Sequence, residues 1–169
     1  VGLDTMAHVV KTLQDNLGPG QGDDPFFASF ATPPVLQKLL DAGSLGQKTG
    51  AGFYKKVGKD IQRFDPATGE YVAGGGKADE IVARMLKKPP AERLKLLHDA
   101  KNPQAQFVWS ILRDSFHYAA VHLADVAETA RDIDFAMRWG FGTSQGPFEL
   151  WQQAGWKQVA EWVQQDIDA

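Results

Sequence analysis

The chain has 169 residues, 43% of them hydrophobic and 23% charged, with a formal net charge of −3 and no cysteine. That length suits one domain or two small ones, and the apolar share supports a buried core. Without cysteine there is no disulfide framework and no thiolate chemistry, which is compatible with a reducing cytosol. No apolar run approaches the ~20 residues of a membrane helix, and no basic and apolar leader opens the chain. There is no dense basic patch, so nucleic acid is not an expected partner.

Val1-Gly2-Leu3-Asp4-Thr5 reads as a helix entry already under way, with Asp4 or Thr5 able to cap it. Val1 is accordingly expected to be an internal boundary or cleavage site of a longer protein. Met6, Val9, Val10, Leu13 and Leu17 recur at helical spacing, and Gly18-Pro19-Gly20 ends the helix. Residues 18–32 form a loop whose Phe26, Phe27 and Phe30 are expected to pin it to the core. Pro33-Pro34 opens a second helix, Val35 to Ala42, which Gly43 can close.

Residues 45–56 are rich in glycine and carry Lys48 and Thr49. A nucleotide phosphate loop would need this stretch to follow a strand and open a helix. Here a helix precedes it and a strand-like Phe53-Tyr54 follows, so that reading is rejected. Phe53–Val57 and Asp60–Phe64 flank Gly58-Lys59, a two-residue hairpin signal with glycine first, as a type II′ turn requires. Glu70-Tyr71-Val72 can add a third strand, and Gly74-Gly75-Gly76 is a flexible joint.

Two short helices, split at Pro89-Pro90, are predicted within 77–101. Ile81, Val82, Met85 and Leu86 mark the first; Leu94, Leu96 and Leu97 mark the second. His98 is expected at the surface near a helix end, where a cation suits the dipole. Asn102-Pro103 begins the longest helix, to about Ala127. Its apolar positions, among them Phe107, Val108, Ile111, Leu112 and Phe116, exceed a narrow stripe and predict burial on much of its circumference. His117 and His122 are five apart, the wrong spacing for one helical face, so no metal pair is expected.

Residues 132–156 then read as a helical corner. Asp132 and Asp134 can cap a short helix through Met137 and Arg138, and Gly140 and Gly142 can end it. Gly146-Pro147 starts the next helix, with Glu149 against its positive end. Gly155 breaks the chain before a last helix from about Trp156 to Ile167.

Within this corner, Asp-Ile-Asp-x-Ala-Met-x-x-Gly-x-Gly-x-x-x-Gly-Pro-Phe-Glu-Leu resembles the signature of the C-terminal helical domain of 3-hydroxyacyl-CoA dehydrogenases. Asp134, Gly140, Gly142, Gly146, Pro147 and Phe148 are its structural positions. Leu-Gly-x-Lys-Thr-Gly-x-Gly-Phe-Tyr at 45–54 and Gly-Leu-Asp-Thr at 2–5 are similar to the back half of the same domain. The resemblance implies a mostly α fold, a helical bundle like the C-terminal domain of 6-phosphogluconate dehydrogenase, with a small β-hairpin. It also implies that Gly2, Leu3, Asp4 and Lys48 lie near substrate.

The segment from Val1 can be laid on the segment from Ala154 at a constant offset, 155 − 2 = 153, pairing Gly2 with Gly155, Leu3 with Trp156, Ala7 with Ala160 and Val10 with Val163. With the tandem helical domains of long bacterial family members, this implies three parts: residues 1–56 as the back half of a first repeat, 57–101 as a connector and 102–169 as a second repeat. The first helix is then expected to pack on residues 103–169, so that the repeats share one compact body. The second repeat departs from the pattern. Gln152 stands where the family often has Asp, and Gly155-Trp156-Lys157-Gln158 replaces Gly-Leu-Asp-Thr. Scaffolding is the expectation for it.

The resemblance implies a parent that is an NAD-dependent, cytoplasmic 3-hydroxyacyl-CoA dehydrogenase of fatty-acid β-oxidation, nearest to large fusions with an enoyl-CoA hydratase domain. Its His base, Glu and NAD site belong to an upstream Rossmann domain. This chain has no strand–Gly-x-Gly-x-x-Gly–helix unit and no His before Phe-Phe-Asn-Pro. It is expected to hold no catalytic residue, cofactor or metal, to wall the acyl-CoA cleft and to support self-association as a homodimer. Two other classes stay open: an autonomous CoA-ester binding module using Lys48, Lys55, Lys56 and Lys59, and an interaction domain without a ligand.

Overall fold

The computed structural model describes residues 2–167, so the boundary expected at Val1 lies outside the described residues. The chain divides into two compact units, Val1–Gly76 and Lys77–Ala169. They meet in sequence at the predicted Gly74–Gly76 joint.

In the first unit, α1 (Leu3–Leu17) packs on α2 (Pro34–Asp41). Gly2, not Asp4 or Thr5, occupies the N-cap of α1, and no side chain caps it. Asp4 lies in the first turn and is engaged elsewhere, as shown below. Leu3, Ala7, Val10, Leu13 and Leu17 are half-buried, whereas Met6 and Val9 are about half exposed, at 48% and 55%. The inward face is therefore rotated from the one predicted. Phe26, Phe27 and Phe30 are half-buried around a short 3-10 turn, as expected. Pro34 takes the first turn of α2. A Schellman closure ends that helix: Ser44 N donates to Leu39 O (2.9 Å) and Gly43 N to Leu40 O (2.9 Å). Leu36 and Leu39, each 1% exposed, form the buried centre.

Three antiparallel strands follow in the order β1 (Tyr54–Val57), β2 (Asp60–Phe64), β3 (Tyr71–Ala73). Val57 pairs with Asp60, which leaves Gly58-Lys59 as a two-residue turn. Gly58 has φ 60° and Lys59 is not in the positive-φ region, the pattern of a type II′ turn. The Tyr71 hydroxyl donates to Gly52 O (2.6 Å), tying the sheet to the glycine-rich stretch.

The second unit comprises α3 (Glu80–Met85), α4 (Pro90–Asp99), α5 (Pro103–Val126), α6 (Ala130–Phe141) and α7 (Pro147–Ile167). Asn102 caps α5 through Gln104 N (2.9 Å) and also bonds Asp79, the cap of α3. Val82, Leu94, Leu97, Trp109, Phe116, Val159 and Val163 meet in one core built mainly by α4, α5 and α7. The prediction for α5 is corrected here. Trp109, Phe116 and Ala119 are buried, but Phe107 (66%) and Ile111 (51%) are exposed. The helix uses one apolar face and leaves the other in water.

His98 also departs from its expected surface position. It is stacked on Trp162 (4.6 Å between ring centroids, 16°) and meets Trp109 edge-on (5.3 Å). Its Nδ1 lies 2.8 Å from Asp99 Oδ1, and Trp109 Nε1 donates to Asp166 (2.6 Å). An imidazole ring offers apolar faces as well as polar edges, and here the faces decide its place. Gly155 (φ 96°, ψ 87°) breaks α7, as expected; that backbone geometry is open to glycine and costly for other residues.

Candidate functional site

Two constellations hold the residues singled out from sequence, one in each unit. In the first unit, Gly2, Leu3, Asp4 and Lys48 come together. Leu3 N donates to Leu45 O (3.0 Å), which docks the start of α1 on the glycine-rich stretch. Lys48 lies on a 3-10 turn, Gln47–Thr49, and its Nζ reaches Asp4 Oδ2 at 2.5 Å. The turn is built by its glycines and by Thr49. Gly46 has φ 110° and Gly50 sits in the left-handed region. A Cβ at Gly52 would press on the Gly46 backbone, 2.9 Å from its Cα. The Thr49 hydroxyl accepts from Leu45 N (2.8 Å) and shares its hydrogen between Gly46 O and Ala51 O. Gly2 is small for a related reason: a Cβ there would meet Asp4 and the Lys48 side-chain end, 3.2 Å away.

The Lys48 hydrogen bond holds the Asp4 carboxyl below its ordinary value, against the opposing effect of burial. Both side chains remain substantially exposed, at 52% for Lys48 and 42% for Asp4. The pair therefore orients the two groups more than it stabilises the fold. A cleft of about 360 Å³ lies here, lined by Gly2, Leu45, Gln47 and Lys48. An ammonium has three donors, so Lys48 can hold Asp4 and still present hydrogen to an anion or carbonyl in the cleft. Of the other three lysines considered, Lys55 sits over the Tyr71 ring (5.4 Å to its centroid), and Lys56 and Lys59 are exposed on the hairpin.

In the second unit, Asp134, Gly146, Pro147 and Phe148 form the α6–α7 corner. Asp134 is only 4% exposed. Its Oδ1 accepts from Phe148 N (2.8 Å) and its Oδ2 from Glu149 N (3.1 Å). The sequence reading is corrected on this point: Asp134 caps the next helix, not its own. α6 is capped instead by Thr129 and Asp132, which form a reciprocal capping box. The Thr-x-x-Asp spacing at 129–132 was the signal for it. Gly140 is also corrected, since α6 continues through it to Phe141; Gly142 alone closes the helix, at φ 69°.

Burial raises the Asp134 carboxyl above its ordinary value, while the two backbone N–H groups pull it down. Gly146 packs so closely on Asp134 that a Cβ would collide with its carboxylate and Cα. Glu149 accepts from Gly146 N (2.9 Å) and from Arg138 (3.0 Å). The Asp134 and Glu149 carboxylates are both engaged in joining the two helices. Among the described residues, no three of His, Asp and Glu are grouped to hold a metal.

A helix start opening on Gly-Leu-Asp-Thr is thus docked on a glycine turn whose lysine pairs with that aspartate, which brings the two sequence motifs of residues 1–56 together. Residues 1–56 match the family described as 3-hydroxyacyl-CoA dehydrogenase, C-terminal domain. The similarity of the whole chain extends further. A probable 3-hydroxyacyl-CoA dehydrogenase of Bacillus subtilis is 36% identical over 98% of this chain and 20% of its own length. The fatty acid oxidation complex subunit alpha of Vibrio vulnificus is 27% identical over 98% of this chain and 19% of its own length. A probable 3-hydroxybutyryl-CoA dehydrogenase of Deinococcus radiodurans is 42% identical over 32% of this chain and 17% of its own length. The chain thus spans about a fifth of the length of these relatives. No solved structure matches it.

Proposed function

We propose that the chain is a non-catalytic C-terminal portion of an NAD-dependent 3-hydroxyacyl-CoA dehydrogenase of fatty-acid β-oxidation. It walls part of the acyl-CoA cleft and contributes to subunit association. The observation that carries this reading is the Asp4–Lys48 pair, which joins the two motifs of residues 1–56 at the edge of a cleft.

In the parent, NAD would accept hydride from C3 of the substrate, and an upstream Rossmann domain would supply both the cofactor site and the His base. The residues here do not make such a cofactor site: the glycine-rich stretch leads out of a helix into a strand, and Lys48 is turned to Asp4. No step through NAD is assigned to this chain. Its own part is to hold Lys48 at a fixed place and to close the cleft to water. The relative named as a fatty acid oxidation complex subunit supports a multi-domain parent, and a hydratase domain in it is part of the proposal. No helix among the described residues is long and apolar enough to cross a membrane, and a cytoplasmic place is part of the proposal.

The test is the purified chain with acetoacetyl-CoA and NADH. No loss of NADH absorbance is expected; measurable turnover overturns the reading. A binding titration of the same chain with acetoacetyl-CoA separates the open alternatives. Tight, Lys48-dependent binding marks an autonomous module, and weak or absent binding fits a wall that needs its Rossmann domain.

A further inference from the structure

The three-stranded sheet presents a face that the cleft reading leaves unused. Residues paired directly across strands point their side chains to the same side. Tyr54 pairs with Arg63 and Arg63 with Val72, and Lys56 pairs with Ile61, so these five share one face. Tyr54 and Ile61 are 68% and 61% exposed, with exposed Lys56 and Arg63 beside them. Ile61 stays uncovered for a local reason: its neighbour on the β3 side is Gly74, whose N donates to Ile61 O (3.1 Å) and which has no side chain to lay over it. We propose that this face docks on the surface of an anionic lipid bilayer as a peripheral contact.

Charge supports that occupant. Residues 53–64 hold four cations, Lys55, Lys56, Lys59 and Arg63, against one carboxylate, Asp60, in a chain whose formal net charge is −3. Asp60 pairs with Val57 and points to the opposite face, as does Lys55, which lies over the Tyr71 ring. The Tyr54 face therefore carries cations and no carboxylate. Among the described residues, none of Lys56, Lys59 and Arg63 is held in an ion pair, so their charges are open to a partner.

The size and make-up of the face favour a bilayer over a protein. Its side chains, Tyr54, Lys56, Ile61, Arg63 and Val72, are far fewer than the roughly 20–30 residues a side of a stable protein interface. A lipid surface demands no such shape match. Lysine and arginine are drawn to anionic headgroups, a tyrosine ring suits the headgroup level with its hydroxyl toward water, and Ile61 adds apolar area to bury at the interface. None of these residues lines the cleft of Gly2, Leu45, Gln47 and Lys48, so failure of this contact would leave the cleft reading standing.

The experiment is co-sedimentation of the full chain with vesicles of equimolar phosphatidylglycerol and phosphatidylcholine, and with vesicles of phosphatidylcholine alone. Binding is expected to the anionic vesicles only and to weaken as salt is raised. Lys56→Gln and Arg63→Gln are each expected to weaken it about five-fold, the worth of one basic residue near an anionic surface, and the double variant about 25-fold if the two add. Ile61→Ser is expected to weaken the binding that remains at high salt. Lys87→Gln, an exposed cation on α3, is the control and is expected to bind as wild type, and all variants should keep the wild-type circular dichroism spectrum. Equal binding to both kinds of vesicle, wild-type binding by the double variant, or a Lys87→Gln loss as large as that of Lys56→Gln would each overturn the proposal. So would displacement from the vesicles by free CoA at matched phosphate concentration, which would mark a soluble phosphate ligand. Binding of poly-glutamate without binding of anionic vesicles would overturn it too, in favour of an acidic protein.

Discussion

The α6–α7 corner makes a sharp prediction through Asp134. Replacing it with Ala removes the two acceptors of Phe148 N and Glu149 N, 2.8 and 3.1 Å away, at a site only 4% exposed. Loss of an N-cap costs about 0.5–2 kcal/mol, and leaving a buried donor unsatisfied costs about 1–3 kcal/mol. The two overlap, so Asp134→Ala is expected to destabilise the second unit by about 2–4 kcal/mol. Asp134→Asn keeps one carbonyl oxygen for one N–H and should lose roughly half of that. The assay is favoured by the sequence. All five tryptophans lie at or beyond Trp109, so indole fluorescence during urea denaturation reports the second unit alone. The pH dependence has a definite sign. Burial raises the Asp134 carboxyl in the folded state. Its contribution is therefore fully present below the ordinary carboxylate pKa and is lost as pH rises through the raised folded value. Asp134→Asn, which has no proton to lose, should remove that part of the stability profile between those two points. A midpoint for Asp134→Ala within about 0.5 kcal/mol of wild type would refute the claim that this carboxylate joins the two helices.

Other perturbations test the remaining links. In Lys48→Ala, the Asp4 carboxyl should titrate higher than in wild type, because its largest lowering cause is gone; an unchanged carbon-13 NMR titration of Asp4 would deny the pairing. The stability that Asp4 contributes is present above its ordinary pKa and lost as pH falls through the lowered folded value. Gly155→Ala forces a side chain into φ 96° and should cost about 1–3 kcal/mol, read by the same fluorescence assay; a neutral result would mean the break in α7 is not required.

The sequence by itself determined most element boundaries. Pro34, Pro90, Pro103 and Pro147 each stand in the first turn of a helix, and Gly58-Lys59 sets a hairpin whose register follows from the turn. These signals act over a few residues, because caps, proline and left-handed glycines fix backbone dihedrals locally. The candidate residues Gly2, Leu3, Asp4 and Lys48 were legible too, through motif resemblance. Their pairing was not, since Asp4 and Lys48 are 44 positions apart. The tertiary structure decided which helix Asp134 caps, because its acceptors serve donors 14 and 15 positions on. Periodicity could place an apolar face on α5 but could not choose between Trp109 and Phe107. Both are large and apolar, and only the position of α4 and α7 buries one and leaves the other wet. His98 shows the same limit: its neighbours in sequence are a leucine and an aspartate, while its ring partners, Trp109 and Trp162, arrive from two other helices. Local chemistry sets where an element starts and stops; which of its side chains find partners is set by what the rest of the chain brings against it.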